Sequence, residues 1–288
     1  MANLKEIRRR IGSVRNTQQV TKAMKMVAAA KLRRAQEAAE NARAYSDKLT
    51  ALLQNLATAG ESAQHPMLQP GADAPAHVIL LTADRGLCGG YNATVVRLAE
   101  TFLASEQGKD ATVTVCGRRG RDHFRSRSLD FTAEHVNLVA GLDIELARTV
   151  GAEATERFLG GTSGSVHVVY TRFKSAISQD AVVSQLLPIA TEADGDGETA
   201  SALDYVYEPG ADWILGALAP RYVDTRLYSA MLESSASEHG ARMTAMDSAS
   251  KNAAEMIDRL TLDMNRARQA AITTELMEIV GGAEALNG

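Results

Sequence analysis

Aromatic residues make up only 5% of this 288-residue sequence, and there are just two cysteines, Cys88 and Cys116. A core so poor in rings must be built from Ala, Val, Leu, Ile and Met. That supply suits long helices packed closely through small side chains. Two thiols are too few for a disulfide framework and read as free thiols in a reducing compartment. No run of about 18 apolar residues occurs, so no helix is expected to span a bilayer. The first residues, with Lys5, Glu6, Arg8, Arg9 and Arg10, lack the apolar stretch and cleavage site of a secretory signal. A helical repeat beginning at Leu4 is expected to leave no room for a disposable leader.

Proline and glycine are missing from the two ends. All six prolines lie between Pro66 and Pro220. Before Gly60 the only glycine is Gly12, and between Gly216 and Gly281 the only one is Gly240. Proline breaks helices and glycine weakens them, so both ends read as long helices and the middle carries the turns. The resulting division is a helix over 1–60, a linker over 61–75, an α/β domain over 76–208 and a second helix over 209–288.

The N-terminal segment repeats every seven residues. One column is Leu4, Ile11, Gln18, Lys25, Leu32, Ala39, Ser46 and Leu53. The other is Ile7, Val14, Thr21, Ala28, Ala35, Ala42, Leu49 and Leu56. A 3.5-residue spacing implies a left-handed supercoil with a partner helix, and the alanines let the backbones approach closely. At 1.5 Å per residue such a helix would be roughly 80 Å long, so it is expected to project from the domain. The C-terminal run from Met243 through Met246, Ala253, Ile257, Leu260 and Met264 to Thr274 supplies the partner, and an intervening domain allows an antiparallel pairing. Gln18, Thr21 and Lys25 interrupt the apolar columns and are expected to leave the seam and meet something else.

Net charge is only −4, but residues 1–35 carry ten Lys or Arg against one acid, Glu6. That asymmetry predicts an acidic partner at this end, or simply a solvated face. A basic helix can also bind phosphates of nucleic acid or a membrane surface. Against that, the basic residues share their helix with the buried seam and no aromatics are interleaved.

In the middle, strands alternate with helices: 77–82, 111–116, 165–170 and 181–187 against 93–103 and 144–158. This pattern gives an α/β domain with a largely parallel sheet. Tyr205-Val-Tyr207 reads as an edge strand. The loop Asp84-Arg-Gly-Leu-Cys-Gly-Gly-Tyr-Asn92 sits where α/β proteins bind phosphate, but it lacks the spaced glycines of a dinucleotide fold and the Lys-Ser/Thr of a P-loop. A tight turn with glycines at close contacts is the better reading; a nucleotide enzyme is the rival. Gly117-Arg-Arg-Gly120 reads as a turn. Asp194-Gly-Asp196-Gly fails the calcium-loop spacing. No histidine pair has metal-ligand spacing, and no nucleophile–base arrangement can be assembled.

Three stretches carry a family resemblance. Thr82-Ala-Asp-Arg-Gly-Leu-Cys-Gly-Gly-Tyr-Asn92, the opening Ile7 to Met24, and Ile272-Thr-Thr-Glu-Leu-Met-Glu-Ile-Val-Gly-Gly-Ala283 are similar to the gamma subunits of F-type ATP synthases, in the same order and over the whole chain. The resemblance implies an α/β protein in which the N- and C-terminal helices form a long antiparallel coiled coil beside a Rossmann-like domain. It implies a non-catalytic rotor shaft without cofactors, turned by a membrane ring of c subunits and driving ATP synthesis at the beta sites. The implied partners are the alpha and beta chains of the hexamer, the epsilon subunit and the ring, with no nucleic acid. Met24, Lys25, Arg242, Arg268, Gln269, Thr273 and Glu275 match contacts to the hexamer. Tyr205, Tyr207 and Glu208 match contacts to the ring and epsilon, while Gly86, Cys88, Gly89 and Gly90 match a structural loop. The Glu192–Ala202 loop has no cysteine, unlike the regulatory dithiol insertion of chloroplast members. The implied location is the cytoplasmic face of a bacterial plasma membrane.

Overall fold

The computed structural model describes residues 2–58, 65–127, 129, 131–137, 144–190 and 210–287. Ten elements follow one another: α1 (Ala2–Thr58), β1 (Ala76–Leu81), α2 (Tyr91–Leu103), β2 (Thr112–Cys116), α3 (Arg118–Arg125), β3 (Ala133–His135), α4 (Ile144–Leu159), β4 (Ser165–Phe173), β5 (Gln179–Leu187) and α5 (Ala211–Asn287). The chain forms two compact units. One joins Met1–Ala28 to Met243–Gly288, and the other is Ala29–Arg242.

The first unit is a two-helix seam. Ile11, Thr21 and Ala28 are its buried residues on α1, and all three lie on the seven-residue columns. Met246 and Ala253 are buried opposite. The Lys25 ammonium reaches Asp247 at 2.6 Å, which sets residue 25 beside 247. Residues 1–24 then lie along 248–271, so the helices run antiparallel. Burial on α5 stops at Ala271, and every residue from 272 to 283 is exposed. The expectation that Thr21 and Lys25 leave the seam is corrected. Thr21 is 8% exposed, its hydroxyl turned back to the Gln18 carbonyl at 3.0 Å, and Lys25 is held by α5. A threonine satisfied by its own helix costs the seam little.

In the second unit the strand order is β3-β2-β1-β4-β5. The pairings β1–β2, β1–β4 and β2–β3 are parallel, and β5 closes the edge antiparallel to β4. Both faces are covered. On one, Ile79, Leu81, Val166, Val168 and Tyr170 meet α4, α5 and the α1 residues Leu49 and Leu53. On the other, Val78, Leu80, Val113, Val115 and Val169 meet α2 and Phe124 of α3. A sheet buried on both sides explains the near-continuous apolar strands.

One further expectation needed correction. Gly117–Gly120, read as a turn, opens helix α3. Gly120 has no side chain, and a Cβ there would lie 2.9 Å from the Thr82 hydroxyl, so α3 can settle onto the end of β1. Pro220 lies inside α5, within the second helix expected over 209–288. An internal proline costs about 3 kcal/mol. Leu215, Ala219, Tyr222 and Val223 around it are all buried, and burying a Leu or Val stabilises by roughly 1.5–3 kcal/mol each. Packing therefore outweighs the break. The edge strand expected at Tyr205–Tyr207 and the Glu192–Ala202 loop lie outside the described residues.

Candidate functional site

Two places gather the residues singled out in the sequence. The first is the seam of the Met1–Ala28 and Met243–Gly288 unit. Met24 is half-buried there, beside Lys25. Asp247 accepts from Lys25 at 2.6 Å and pairs with Lys251 at 2.8 Å. The hydrogen bond from Lys25, and then the one from Lys251, hold its carboxyl down at about 2. Around this pair Val20, Met26 and Val27 are each more than half exposed. Arg8, Arg9, Arg10, Arg15 and Lys22 are exposed as well, so α1 presents a basic, partly apolar surface.

Further along α5 lie Arg268, Gln269, Thr273 and Glu275, all exposed, with the Thr273 hydroxyl on the Gln269 carbonyl at 3.0 Å. Among them Ile272, Leu276, Met277, Ile279 and Val280 expose 49–68% of their surface. The apolar five lie beyond the end of the seam at Ala271, as do Thr273 and Glu275, while Arg268 and Gln269 are exposed on its last turn. The apolar set lies in the Ile272–Ala283 stretch that carries the family resemblance, but its members were not among the expected contacts.

The second place is the glycine loop between β1 and α2. Leu87 (φ 63°) and Gly89 (φ 57°) take left-handed conformations, and the loop folds Cys88 and Tyr91 inward. Its polar groups serve the loop itself. Asn92 accepts from the Ala83 amide at 3.0 Å and donates to the Cys88 sulfur at 3.1 Å. Asp84 accepts from the amides of Arg118 and Asn137, both at 3.0 Å. The Arg242 guanidinium donates to the Gly86 carbonyl at 3.2 Å and pairs with Glu238 at 2.7 Å. Arg242 is thus the residue that fastens α5 to the loop.

The electrostatics fit a closed structural core. Burial raises the Glu238 carboxyl, with Arg242 opposing. Burial, then Arg242 and Lys31, push His239 down to about 4. Burial pushes the Cys88 thiol up and the Cys116 thiol up to about 12. A thiol held protonated is a poor nucleophile. The carboxyl ends of β1 and β2, where α/β proteins bind nucleotides, face Lys31 and Ala35 of α1 and Ser235 and Glu238 of α5 across a cavity of only about 280 Å³. No cluster that could hold a metal occurs among the described residues, and none of their helices is long and apolar enough to cross a membrane.

One unit is a two-helix seam with apolar side chains left exposed, and the other is an α/β unit whose loop side chains bond inward. Comparison with known proteins gives the chain a family. The family model described as ATP synthase matches residues 3–286. The ATP synthase gamma chain of Anaeromyxobacter dehalogenans (strain 2CP-1) is 50% identical over 291 residues, covering 99% of this chain and 100% of its own. The gamma chain of Geobacter sp. (strain M21) is 47% identical over 290 residues, covering 100% of both. Among solved structures, the central stalk and c-ring of Tetrahymena thermophila mitochondrial ATP synthase matches with a TM-score of 0.62 at 25% identity, covering 80% of this chain and 99% of that one. A chain of the Euglena gracilis mitochondrial enzyme matches with a TM-score of 0.68 at 18% identity, covering 99% and 95%, a likeness of fold. The chain belongs to the ATP synthase gamma-chain family. It is therefore the central-stalk rotor shaft of an F-type ATP synthase, a non-catalytic subunit of a complex whose catalytic sites lie on the beta chains.

Proposed function

We propose that this shaft meets its hexamer of alpha and beta chains along the free part of α5 and the basic side of α1. Arg268, Gln269, Thr273 and Glu275 make the upper contacts, and Met24 and Lys25 face an acidic loop of beta. The observation that carries this reading is the end of the seam at Ala271. Beyond it, apolar side chains continue on a helix whose surface stays exposed among the described residues. A contiguous apolar surface of that kind marks an interaction site. An apolar sleeve would also suit rotation, because it offers no fixed ion pairs to hold one angle.

The foot, with Tyr205, Tyr207 and Glu208, meets the epsilon subunit and the c-ring; these three residues lie outside the described ones. Ring rotation turns the shaft, and its asymmetry carries each beta site in turn through binding, synthesis and release. Arg242 transmits torque from the base to α5 by gripping the Gly86 carbonyl, and Gly86, Cys88, Gly89 and Gly90 keep that grip rigid. The complex sits on the cytoplasmic face of a bacterial plasma membrane.

The test is purification from native membranes through a tag on this chain. Recovery with alpha and beta chains at a fixed ratio below one copy per beta chain supports the reading. Recovery alone, or with nucleic acid, contradicts it.

A further inference from the structure

In the Ala29–Arg242 unit, a cleft of about 440 Å³ opens where α1 and α5 cross β4 and β5. Its position follows from the alternation of side chains along β4. Val166, Val168 and Tyr170 point into the helix-covered core, and Arg172 comes next on that face. Facing it are Arg226 and Glu233 of α5 and Arg43 and Ser46 of α1. The neighbouring core cluster is mostly apolar, whereas this cleft is lined largely by polar and charged side chains. The volume is within the roughly 300–1,000 Å³ of small-molecule sites.

The cleft presents two kinds of unmet demand. The side chains of Arg172 and Arg226 make no ion pair or hydrogen bond among the described residues, apart from Arg226 lying 6.0 Å from the Tyr222 ring. Arg43, by contrast, is engaged by Glu233 at 2.7 Å, and Lys174 at the rim by Asp180. The inner wall has the opposite need. Ser46 is 1% and Glu233 is 6% exposed. Ser46 Oγ and Glu233 Oε2 are buried with no hydrogen-bond partner among the described residues. Buried polar atoms are costly to leave unpaired.

The arginines ask for anionic oxygens, and Glu233 Oε2, on a carboxylate already paired with Arg43, asks for a donor. The Ser46 hydroxyl can serve either. Hydrogen phosphate supplies both. Its charged oxygens suit the guanidinium fork, and its remaining P–OH donates to a carboxylate. Sulfate carries no proton at neutral pH. A phosphate ester has largely lost its last proton by pH 7, its second pKa being about 6. We propose that this cleft is a binding site for inorganic hydrogen phosphate, with Arg172 and Arg226 on its anionic oxygens and Glu233 accepting its proton. An ion there touches α1, β4 and α5 together and ties the edge of the sheet to both helices.

The test is equilibrium dialysis of the full chain against labelled phosphate at fixed ionic strength, with sulfate and glycerol phosphate as competitors. One phosphate should bind per chain, with either competitor at least about tenfold weaker, since neither satisfies the carboxylate. Arg172→Gln combined with Arg226→Gln should weaken phosphate by at least about tenfold while the ligand-free circular dichroism and melting temperature stay unchanged. Glu233→Gln should erase the preference for phosphate over sulfate. The proposal is overturned by no saturable phosphate binding at ~10 mM, by sulfate binding as tightly as phosphate, or by undiminished binding to the double-arginine chain.

Discussion

At the scale of single residues, buried polar groups and backbone constraints dominate. His77 is 1% exposed in the middle of the sheet, its ring nitrogens 2.7 Å from the Thr112 hydroxyl and 3.2 Å from that of Thr114. Burial, and then Arg157, push it down to about 4. The folded chain therefore keeps it neutral, while the unfolded chain protonates it near 6.5. Above 6.5 its contribution to stability is complete. As pH falls from 6.5 towards 4 the unfolded state takes up the proton first, and stability is lost at up to about 1.4 kcal/mol per pH unit. His239 acts in the same direction. Glu238, raised by burial, acts oppositely just above its ordinary value, where acid relieves the cost of its buried charge. Urea unfolding between pH 7 and pH 5 should show a falling midpoint, and His77→Gln should flatten that fall. A midpoint equally steep in His77→Gln would contradict the assignment. Gly117 is the residue least open to change. Its φ of 111° is left-handed territory, and a Cβ would stand 2.1 Å from the Thr82 carbonyl oxygen. Gly117→Ala should cost at least about 2 kcal/mol in thermal unfolding. Gly12→Ala, in an open helical position, should stabilise by about 0.5–1 kcal/mol.

At the scale of elements, the seven-residue columns were the most legible feature of the sequence. In the base unit the buried α1 residues Leu32, Ala39, Ser46, Leu49, Leu53 and Leu56 all fall on them, because a long helix with one covered stripe has no other way to arrange its apolar side chains. The strands β1, β2, β4 and β5 were legible as short apolar or β-branched runs. Helix α3 was not, since Arg118-Arg-Gly-Arg-Asp-His carries no apolar period and owes its place to Gly120 on Thr82. Nor was β3, whose three residues are set by pairing with β2. The Lys25–Asp247 pair was illegible too, because a charge in an apolar column reads as pointing outward until its partner is seen. That pair bears on the drive contact. Met24 is half-buried beside a lysine already neutralised by α5. A second ammonium at position 24 has no such partner and is free for an acidic loop of beta. The net gain of an exposed pair is at most about 1 kcal/mol, yet it is met in every rotation and raises the barrier to leaving one angle. Met24→Lys should therefore pump fewer protons per ATP than Met24→Ala, with hydrolysis and pumping measured side by side in membrane vesicles. Equal pumping would remove this segment from the drive contact.

At the scale of the whole molecule, each unit has its own supply of stability. The base is a doubly covered sheet whose loops are bonded inward. The seam unit has little buried beyond a thin apolar stripe, and its exposed apolar end calls for a surrounding partner. Membership of the ATP synthase gamma-chain family makes the chain a non-catalytic subunit of its complex. The most direct test is single-molecule rotation. The two native thiols, Cys88 and Cys116, are each no more than 1% exposed, so a cysteine introduced at exposed Gln107 can be labelled alone. A bead attached through Gln107→Cys on the chain assembled with surface-fixed alpha and beta subunits should turn in one direction while ATP is hydrolysed and stop when ATP is removed. Continued hydrolysis under a bead that does not turn would contradict the account.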